Sequence, residues 1–559
     1  MSHHLIPPPK FPGAQAPFHP QKGFPNWEHI LTQSEMDWTK REDTVKGVKV
    51  VIGSNTGMHG AVSTFDSILS CALSLAGANV SRMFCDGAMP ACLIPVYGQA
   101  TPPEMLIKHQ LTKRLCKACF NRGTHTHRPL GLPELRFSEF LTPEDYKNAE
   151  TIAASVPVSS IPSWSLDNIA VGEHAYAGAL RYFAKGDIED EVDGNAVLLR
   201  YLEGAILTKL AYERMIKKCS PDVVVLHHGI YSPQGVAADV CRKSGVRVVT
   251  WVVAYRKSCF IFSHDDTYHH TMMTEDTKAW ENLNLSELQE EELFGYLASR
   301  SKGDLDWIYF HKEPSSDFIT YAKTKGIDTT KPLVTILTNV MWDAQLHYPA
   351  NAFKGMKEWI IGTVDYFINR PDLEIVVRIH PAEVRGSIKS RQKVGDILKE
   401  TYPELPKNIH IVYPDEEAST YALTGASNAV IIYGTKMGTE LAPLGKPIIV
   451  GGEAWIRNKG ITQDATTPEN YYQILDTLPY QEGEFIPDKD RSRNYAYHFF
   501  FRRMIPLPFL EPNGTGAMFD LNMRDISSLK PGKYPGLDTI INGIMNGSPF
   551  IYEAENYGN

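Results

Sequence analysis

Apolar residues fall in short continuous runs that stop at small-residue turns, and each run is followed by a stretch in which they recur every three to four positions. The segment "VKGVKVVIGSN" predicts a buried strand, and "AVSTFDSILSCALSLAGANV" after it predicts a helix closed by glycine. The unit repeats: "PDVVVLHHG" and "VRVVTWVVAY" read as strands, with "GVAADVCRKSG" as the helix between them. Strands alternating with helices predict an α/β fold with a parallel, doubly wound sheet, whose ligands sit beyond the carboxyl ends of the strands. Two longer helical patterns, "SLDNIAVGEHAYAGALRYFAKGD" and "NAVLLRYLEGAILTKLAYERMIKKC", interrupt this first domain, and "LNLSELQEEELFGYLASRSKGD" predicts a helix before its end.

A second domain opens at "KPLVTILTNV" and repeats the alternation: helix "MKEWIIGTVDYFINR", strands "LEIVVRIHP" and "NIHIVYP", helix "STYALTGA", then "IIYGTKMGTELAPLGKPIIVGG". The resulting division is an extended arm over residues 1–45, a first domain over 46–325, a second over 326–480, and a C-terminal segment over 481–559 that returns to the first domain. The Pro/Gly-rich start "MSHHLIPPPKFPGAQAPFHPQKGFPNW" lacks the apolar block of a secretory signal, so it reads as an arm and the protein as cytosolic. Aromatic "HFFFRRMIPLPF" near the end reads as core closing across the chain, with contact to a membrane surface as the alternative.

Composition changes this picture little. At 559 residues the chain has room for two cores, and 43% hydrophobic with 22% charged residues is ordinary for a globular protein. No apolar run approaches the ~20 residues of a membrane span. A net charge of −9 argues against nucleic acid as the main partner. Eight cysteines in a cytosolic chain point to core residues, metal ligands or reactive thiols before a disulfide framework.

Candidate chemistry gathers at the strand ends of the second domain. In "RIHPAE", Arg378, His380 and Glu383 leave a strand and Pro381 fixes the turn; Arg and His are donors suited to phosphate oxygens. The bland alternative is a strand-end histidine satisfied by a backbone carbonyl. In "YGTKMGTE", Gly434 permits a tight turn, Thr435, Lys436 and Thr439 supply donors, and Gly438 lets a ligand approach the backbone at a helix start. Glu440 would accept from two ribose hydroxyls, or else merely favours the helix N-terminus. The spacing matches neither a Walker A loop nor G-x-G-x-x-G.

The order "TNVMWDAQ", "RPDLEIVVRIHPAE", "VIIYGTKMGTELAPLGKPIIVGG" resembles the donor half of GT-B glycosyltransferases of the bacterial capsule polysaccharide biosynthesis group. The resemblance implies two Rossmann-like doubly wound domains facing a cleft, with helical insertions. The residues that match its motifs are Arg378, His380 and Pro381, then Thr435, Gly438, Thr439 and Glu440; with Asn339, Gly434 and Lys436 they make up the expected nucleotide-sugar site. It extends less specifically into the first domain through "HHGIYSPQGVAADVCRKSGVRVVTW" and "AYRKSCFIFSHDDTYHH". There "GSNTGMHGAVSTFDS" resembles the Gly-rich loop and histidine of other GT-B enzymes, which makes His59 the candidate general base. Its alternative is a helix cap or an acceptor contact. Asp86 of "FCDGAMP" is the rival base, and His228 with Asp265 and Asp266 are further candidates.

Cys85, Cys92, Cys116 and Cys119 form C-x6-C…C-x2-C, a set that suits a structural zinc or an iron–sulfur cluster, with His125 and His127 as substitutes. The stretch that carries the second pair, "QLTKRLCKACFNRGTHTHRP", reads as a basic loop. The expected activity is transfer of a sugar from a nucleotide-sugar to a surface-polysaccharide or lipid-linked acceptor at the inner face of the cytoplasmic membrane, without a catalytic metal. Alternatives are a nucleotide-sugar 2-epimerase or polyol-phosphate transferase, and a non-catalytic glycan-binding scaffold.

Overall fold

The computed structural model describes residues 24–44, 47–97, 101–300, 305–307, 317–344, 351–481, 484–514 and 518–557. The chain divides into two compact units. One comprises Met1–Phe183, Ile188–Tyr268 and Arg502–Ala554, and the other Ala184–Asp187, His269–Phe501 and Glu555–Asn559.

The first unit carries β1 (Lys49–Asn55), β2 (Asn79–Phe84), β3 (Glu134–Arg136), β4 (Val223–His227), β5 (Arg247–Val253) and β6 (Cys259–His264). The second carries β7 (Leu333–Leu337), β8 (Glu374–Arg378), β9 (Ile409–Val412), β10 (Ala429–Ile432), β11 (Ile448–Val450) and β12 (Gln463–Asp464). β13 (Ile505–Pro506) belongs again to the first unit, antiparallel to β6. The first sheet runs β13-β6-β5-β4-β1-β2-β3 and the second β12-β11-β10-β7-β8-β9. All five pairings of the second sheet are parallel, as are those among β1 to β5 in the first. β7 and β8 are buried along their whole length, which is why they read as continuous apolar runs.

Each sheet is Rossmann-like and doubly wound. The strand order reverses between β1 and β4 in the first unit and between β7 and β10 in the second, and a ligand crevice in such sheets opens at the carboxyl ends there.

Three expectations differ from the structure. The division falls at Tyr268/His269 instead of 325/326, because Trp280 packs into the core of the second sheet with Leu337, Ile432 and Tyr495. The arm is not extended over its described part: Asn26 caps the helix Trp27–Gln33, and Trp27 is buried, its Nε1–H donating to Ser67 Oγ at 2.9 Å. Residues 1–23 lie outside the described residues. The supposed basic loop is a π-helical turn, Thr112–Cys116, running into the α-helix Lys117–His127. Its low mean hydropathy hid a buried face of Phe120, Gly123, Thr124, Thr126 and His127.

The run Phe499, Phe500, Phe501 is buried, so those aromatics fill core. No helix among the described residues is long and apolar enough to cross a membrane.

Candidate functional site

In the second unit the turns after β7, β8 and β10 are tied into one chain of contacts. Thr338 Oγ1 accepts the His380 backbone N–H at 3.1 Å. The neighbouring Asn339 reaches across the reversal point and donates from Nδ2 to the Gly434 carbonyl at 3.1 Å. Asn339 Oδ1 in turn accepts from Val340 N–H at 2.9 Å, so the amide is held at both ends. His380 Nδ1 accepts from Ala382 N–H at 3.0 Å, which places the ring proton on Nε2 and makes that nitrogen a donor at the strand end. Thr435 is buried and accepts from Met437 N–H at 3.4 Å. Asn339 and Gly434 are thus bonded across the reversal point, and His380 is tied to the same β7 turn through Thr338.

The other residues of this set are placed elsewhere. Arg378 is buried with Nη1 donating to the Tyr413 carbonyl at 2.6 Å, so its guanidinium ties β8 to the exit of β9 in place of facing a phosphate. Glu383 is buried, accepts from Val394 N–H at 3.1 Å, and is pushed by that burial up to about 7. Gly434 lies outside the left-handed region, and a Cβ there would come no nearer than 3.6 Å to another atom, so no glycine is required. Gly438 does need to be glycine, but for packing: a Cβ would sit 2.8 Å from Ile456 and 2.9 Å from Ile432. The helix that follows, Met437–Leu441, has only five residues. Thr439 is buried, and its hydroxyl has no hydrogen-bond partner among the described residues.

Glu440 is a buried hub. Its Oε1 pairs with Arg300 Nε at 2.9 Å and with Lys436 Nζ at 2.8 Å, and Tyr421 donates its hydroxyl to Oε2. Burial alone would raise this carboxyl, but the Arg300 and Lys436 charges and the hydrogen bonds outweigh it and hold it at about 2. A ribose would have to share oxygens that these partners already occupy.

In the first unit the reversal point between β1 and β4 holds His59, His227 and Trp251. The His59 and His227 rings lie 5.6 Å apart, and His227 meets Trp251 edge-on at 4.9 Å. Three non-glycine residues at or just after these strand ends, Asn55, His228 and Tyr231, have φ of 68°, 67° and 67°. His59 caps the helix Gly60–Leu75, accepting from Val62 N–H through Nδ1 at 3.4 Å. That cap places the proton on Nε2, so the ring as it stands offers a donor there. Crowding by surrounding protein and the Arg181 charge hold the ring below its ordinary value, in the neutral form. Asp86 is buried and spent on Ser138, accepting from its N–H at 3.2 Å and its Oγ at 2.5 Å, so it caps a turn and does not serve as a base. Asp265 accepts from Val248 N–H at 2.9 Å, which ties the end of β6 to β5, and Asp266 accepts from the adjacent Thr267 N–H at 2.7 Å.

Sequence reasoning missed Asp66 and Arg300. Asp66 is buried in the helix Gly60–Leu75, where Ser54 Oγ donates to it at 3.2 Å while accepting from His227 N–H at 2.9 Å. Burial lifts its carboxyl to about 7. The signal was a single carboxylate inside the otherwise small and apolar "AVSTFDSILSC".

Cys85, Cys92, Cys116 and Cys119 all line one cavity of about 40 Å³ in the first unit. The order of elements explains the convergence: Phe120 stacks on Phe84 at 5.5 Å, which brings the C-x-x-C helix to the end of β2 where Cys85 follows. Gly57 then lets the β1 loop close on the helix, since a Cβ would lie 2.2 Å from the Cys119 carbonyl. Neither His125 nor His127 lines that cavity, and His127 lines a separate one with Arg82 and Glu134, so the substitute-ligand expectation is corrected. Among the described residues no three His, Cys, Asp or Glu side chains converge as a single metal ion requires.

With this geometry in view, comparison with known families finds a match within the second unit. Residues 313–478 match the capsule polysaccharide biosynthesis protein family. The capsule-family segment contains every strand of the second sheet, β7 to β12, and with them Asn339, His380 and Thr435. Against the curated proteins the sequence finds no match.

Among solved structures, the β-Kdo 2,4-transferase of Thermosulfurimonas dismutans KpsC is 12% identical, over 56% of this chain and 88% of that one, with a TM-score of 0.33. The UDP-GlcNAc 2-epimerase of Neisseria meningitidis is 11% identical, over 80% and 96%, with a TM-score of 0.22. Spinosyn rhamnosyltransferase SpnG is 12% identical, over 80% and 95%, with a TM-score of 0.23. At such identities and scores these likenesses carry nothing about chemistry.

Proposed function

We propose that the protein is a glycosyltransferase that takes a sugar from a nucleotide-sugar bound at the β7/β10 crevice and passes it to a surface-polysaccharide or lipid-linked glycan acceptor in the cytoplasm. The observation that carries this reading is the coincidence of the capsule-family match with the unit whose reversal point is bridged by Asn339 and flanked by His380 and Thr435. His380 Nε2–H and the Thr435 hydroxyl are the donors offered to the departing phosphate, and preorganised donors of that kind stabilise a leaving oxyanion without a divalent metal. His59, with its proton on Nε2, binds the acceptor as a donor; a base role would require release of its cap on Val62.

The test is a thermal-shift screen of the full chain against UDP, GDP, CDP, CMP and TDP, with and without Mg²⁺, repeated on His380→Ala and Asn339→Ala. Stabilisation by one nucleotide, lost in both variants, is the expected result. No stabilisation by any nucleotide would sink the donor assignment and leave a scaffold. Release of an epimerised sugar without acceptor would replace transfer by epimerisation.

A further inference from the structure

Four thiols line one cavity of the first unit, and the proposed transfer gives them no task. Their arrangement separates two kinds of metal. A tetrahedral zinc needs four sulfurs about 2.3 Å from one point, and structural zinc sites favour C-x2–4-C pairs. Here the first pair is C-x6-C, and no three thiols converge on a single-ion position. The space they surround, about 40 Å³, exceeds the ~10–15 Å³ that one water-sized occupant needs.

The remaining lining is largely apolar, with Met89, Leu93, Ile94 and Leu115 among it, and this excludes water from the sulfurs. A backbone amide also reaches one of the sulfurs: Gly57 N–H donates to Cys119 Sγ at 3.3 Å. Hydrogen bonds to sulfur are one of the means by which proteins tune iron–sulfur clusters.

We propose that Cys85, Cys92, Cys116 and Cys119 ligate a 4Fe–4S cluster in the first unit, beside the β1 loop that carries His59. The cluster locks the helix Lys117–His127 to that loop, since Gly57 and Thr56 both contact Cys119 and Ser54, Asn55 and Thr56 line the same cavity. This inference does not rest on the sugar-transfer reading, and its test makes no use of nucleotide binding.

The full chain is purified anaerobically, and iron, acid-labile sulfide and zinc are measured before and after reconstitution with equal amounts of ferric and ferrous iron and with sulfide. About four irons and four sulfides per chain are expected, with broad visible absorption that bleaches on reduction. Cys116→Ser and Cys119→Ser should each lower the iron content at least about twofold, whereas Cys219→Ser, outside the cavity, should leave it unchanged. One zinc per chain without iron, or no metal even after reconstitution, would overturn the proposal. So would wild-type iron in both cavity variants. The wild-type stoichiometry decides the matter even if a variant does not fold.

Discussion

Burial leaves the carboxyl behind the first unit's crevice protonated well above its usual range, whereas in the second unit it coexists with a carboxylate held ionised. Asp66 has the Ser54 hydroxyl as its side-chain partner, with the Arg82 charge too weak to offset burial, and its carboxyl rises to about 7. Glu440 is buried as deeply, but Arg300 and Lys436 sit on the same oxygen and Tyr421 on the other, and it falls to about 2. Topology alone does not set the electrostatics of a strand-end site; the counter-charges delivered by neighbouring elements do. The first crevice thus keeps neutral groups, the Asp66 carboxyl and the His59 and His227 imidazoles, and the second is braced by buried ion pairs.

The largest break in that contrast is Arg300→Ala. It leaves Glu440 and Asp306 without their shared cation, and removal of one partner from a buried pair costs about 3–5 kcal/mol. Urea denaturation reads this directly. A loss below about 1 kcal/mol, the range of surface pairs, would show that the hub is not acting as a buried brace. Arg300→Ala with Glu440→Gln should recover part of the loss, because the charge that needed the partner is gone.

Next in size is a glycine contrast between the two loops. Gly57→Ala drives a Cβ to within 2.2 Å of a backbone carbonyl and 2.6 Å of the Gly123 nitrogen, and overpacking of this kind costs about 1–3 kcal/mol. Gly434→Ala meets nothing closer than 3.6 Å and is expected within about 0.5 kcal/mol of wild type. Equal losses at the two positions would refute the tight closure of the β1 loop on the C-x-x-C helix.

These contrasts mark what the sequence could and could not disclose. Strands such as "KPLVTILTNV" and "LEIVVRIHP" were legible because a sheet buried on both faces needs continuous apolar runs, and the two-unit architecture follows from their alternation with helices. The turn "YGTKMGTE" was legible as a turn, but its inner wiring was not. That Glu440 faces Arg300, 140 positions away in the chain, depends on how the helix Glu287–Arg300 packs, and no local period encodes it. Arg378 and Asp86 looked like strand-end chemistry because strand-end position and side-chain type coincide there. Only the long-range partners Tyr413 and Ser138 reveal their structural use. The cysteines reversed the case: their spacing was weak evidence, and the fold made them neighbours.

Acid and base should act oppositely on the two carboxyls. Asp66 has its folded value raised from 3.8 to about 7, so its contribution to stability is full below pH 3.8 and is lost as pH rises through about 7. Glu440 has its value lowered from 4.5 to about 2, so its contribution is present above pH 4.5 and is lost as pH falls through about 2. Asp66→Asn should therefore flatten the decline in Tm between about pH 4 and 7, by several degrees, while leaving the acid limb unchanged. A wild-type and variant pair with parallel Tm profiles over that window would remove Asp66 from the account.

The smallest effect sharpens the comparison most locally. Asn339→Ala removes one neutral hydrogen bond across the β7/β10 reversal point, and such a bond contributes about 0.5–1.5 kcal/mol. The fold should survive, because the β7/β10 pairing continues through four registered residue pairs without it. What changes is the crevice: the Gly434 carbonyl loses its donor and the turn before Thr435 loses its tether. Nucleotide-dependent stabilisation should therefore fall by more than the loss measured without nucleotide. If the two losses are equal, Asn339 is a strut of the sheet and the donor site lies elsewhere.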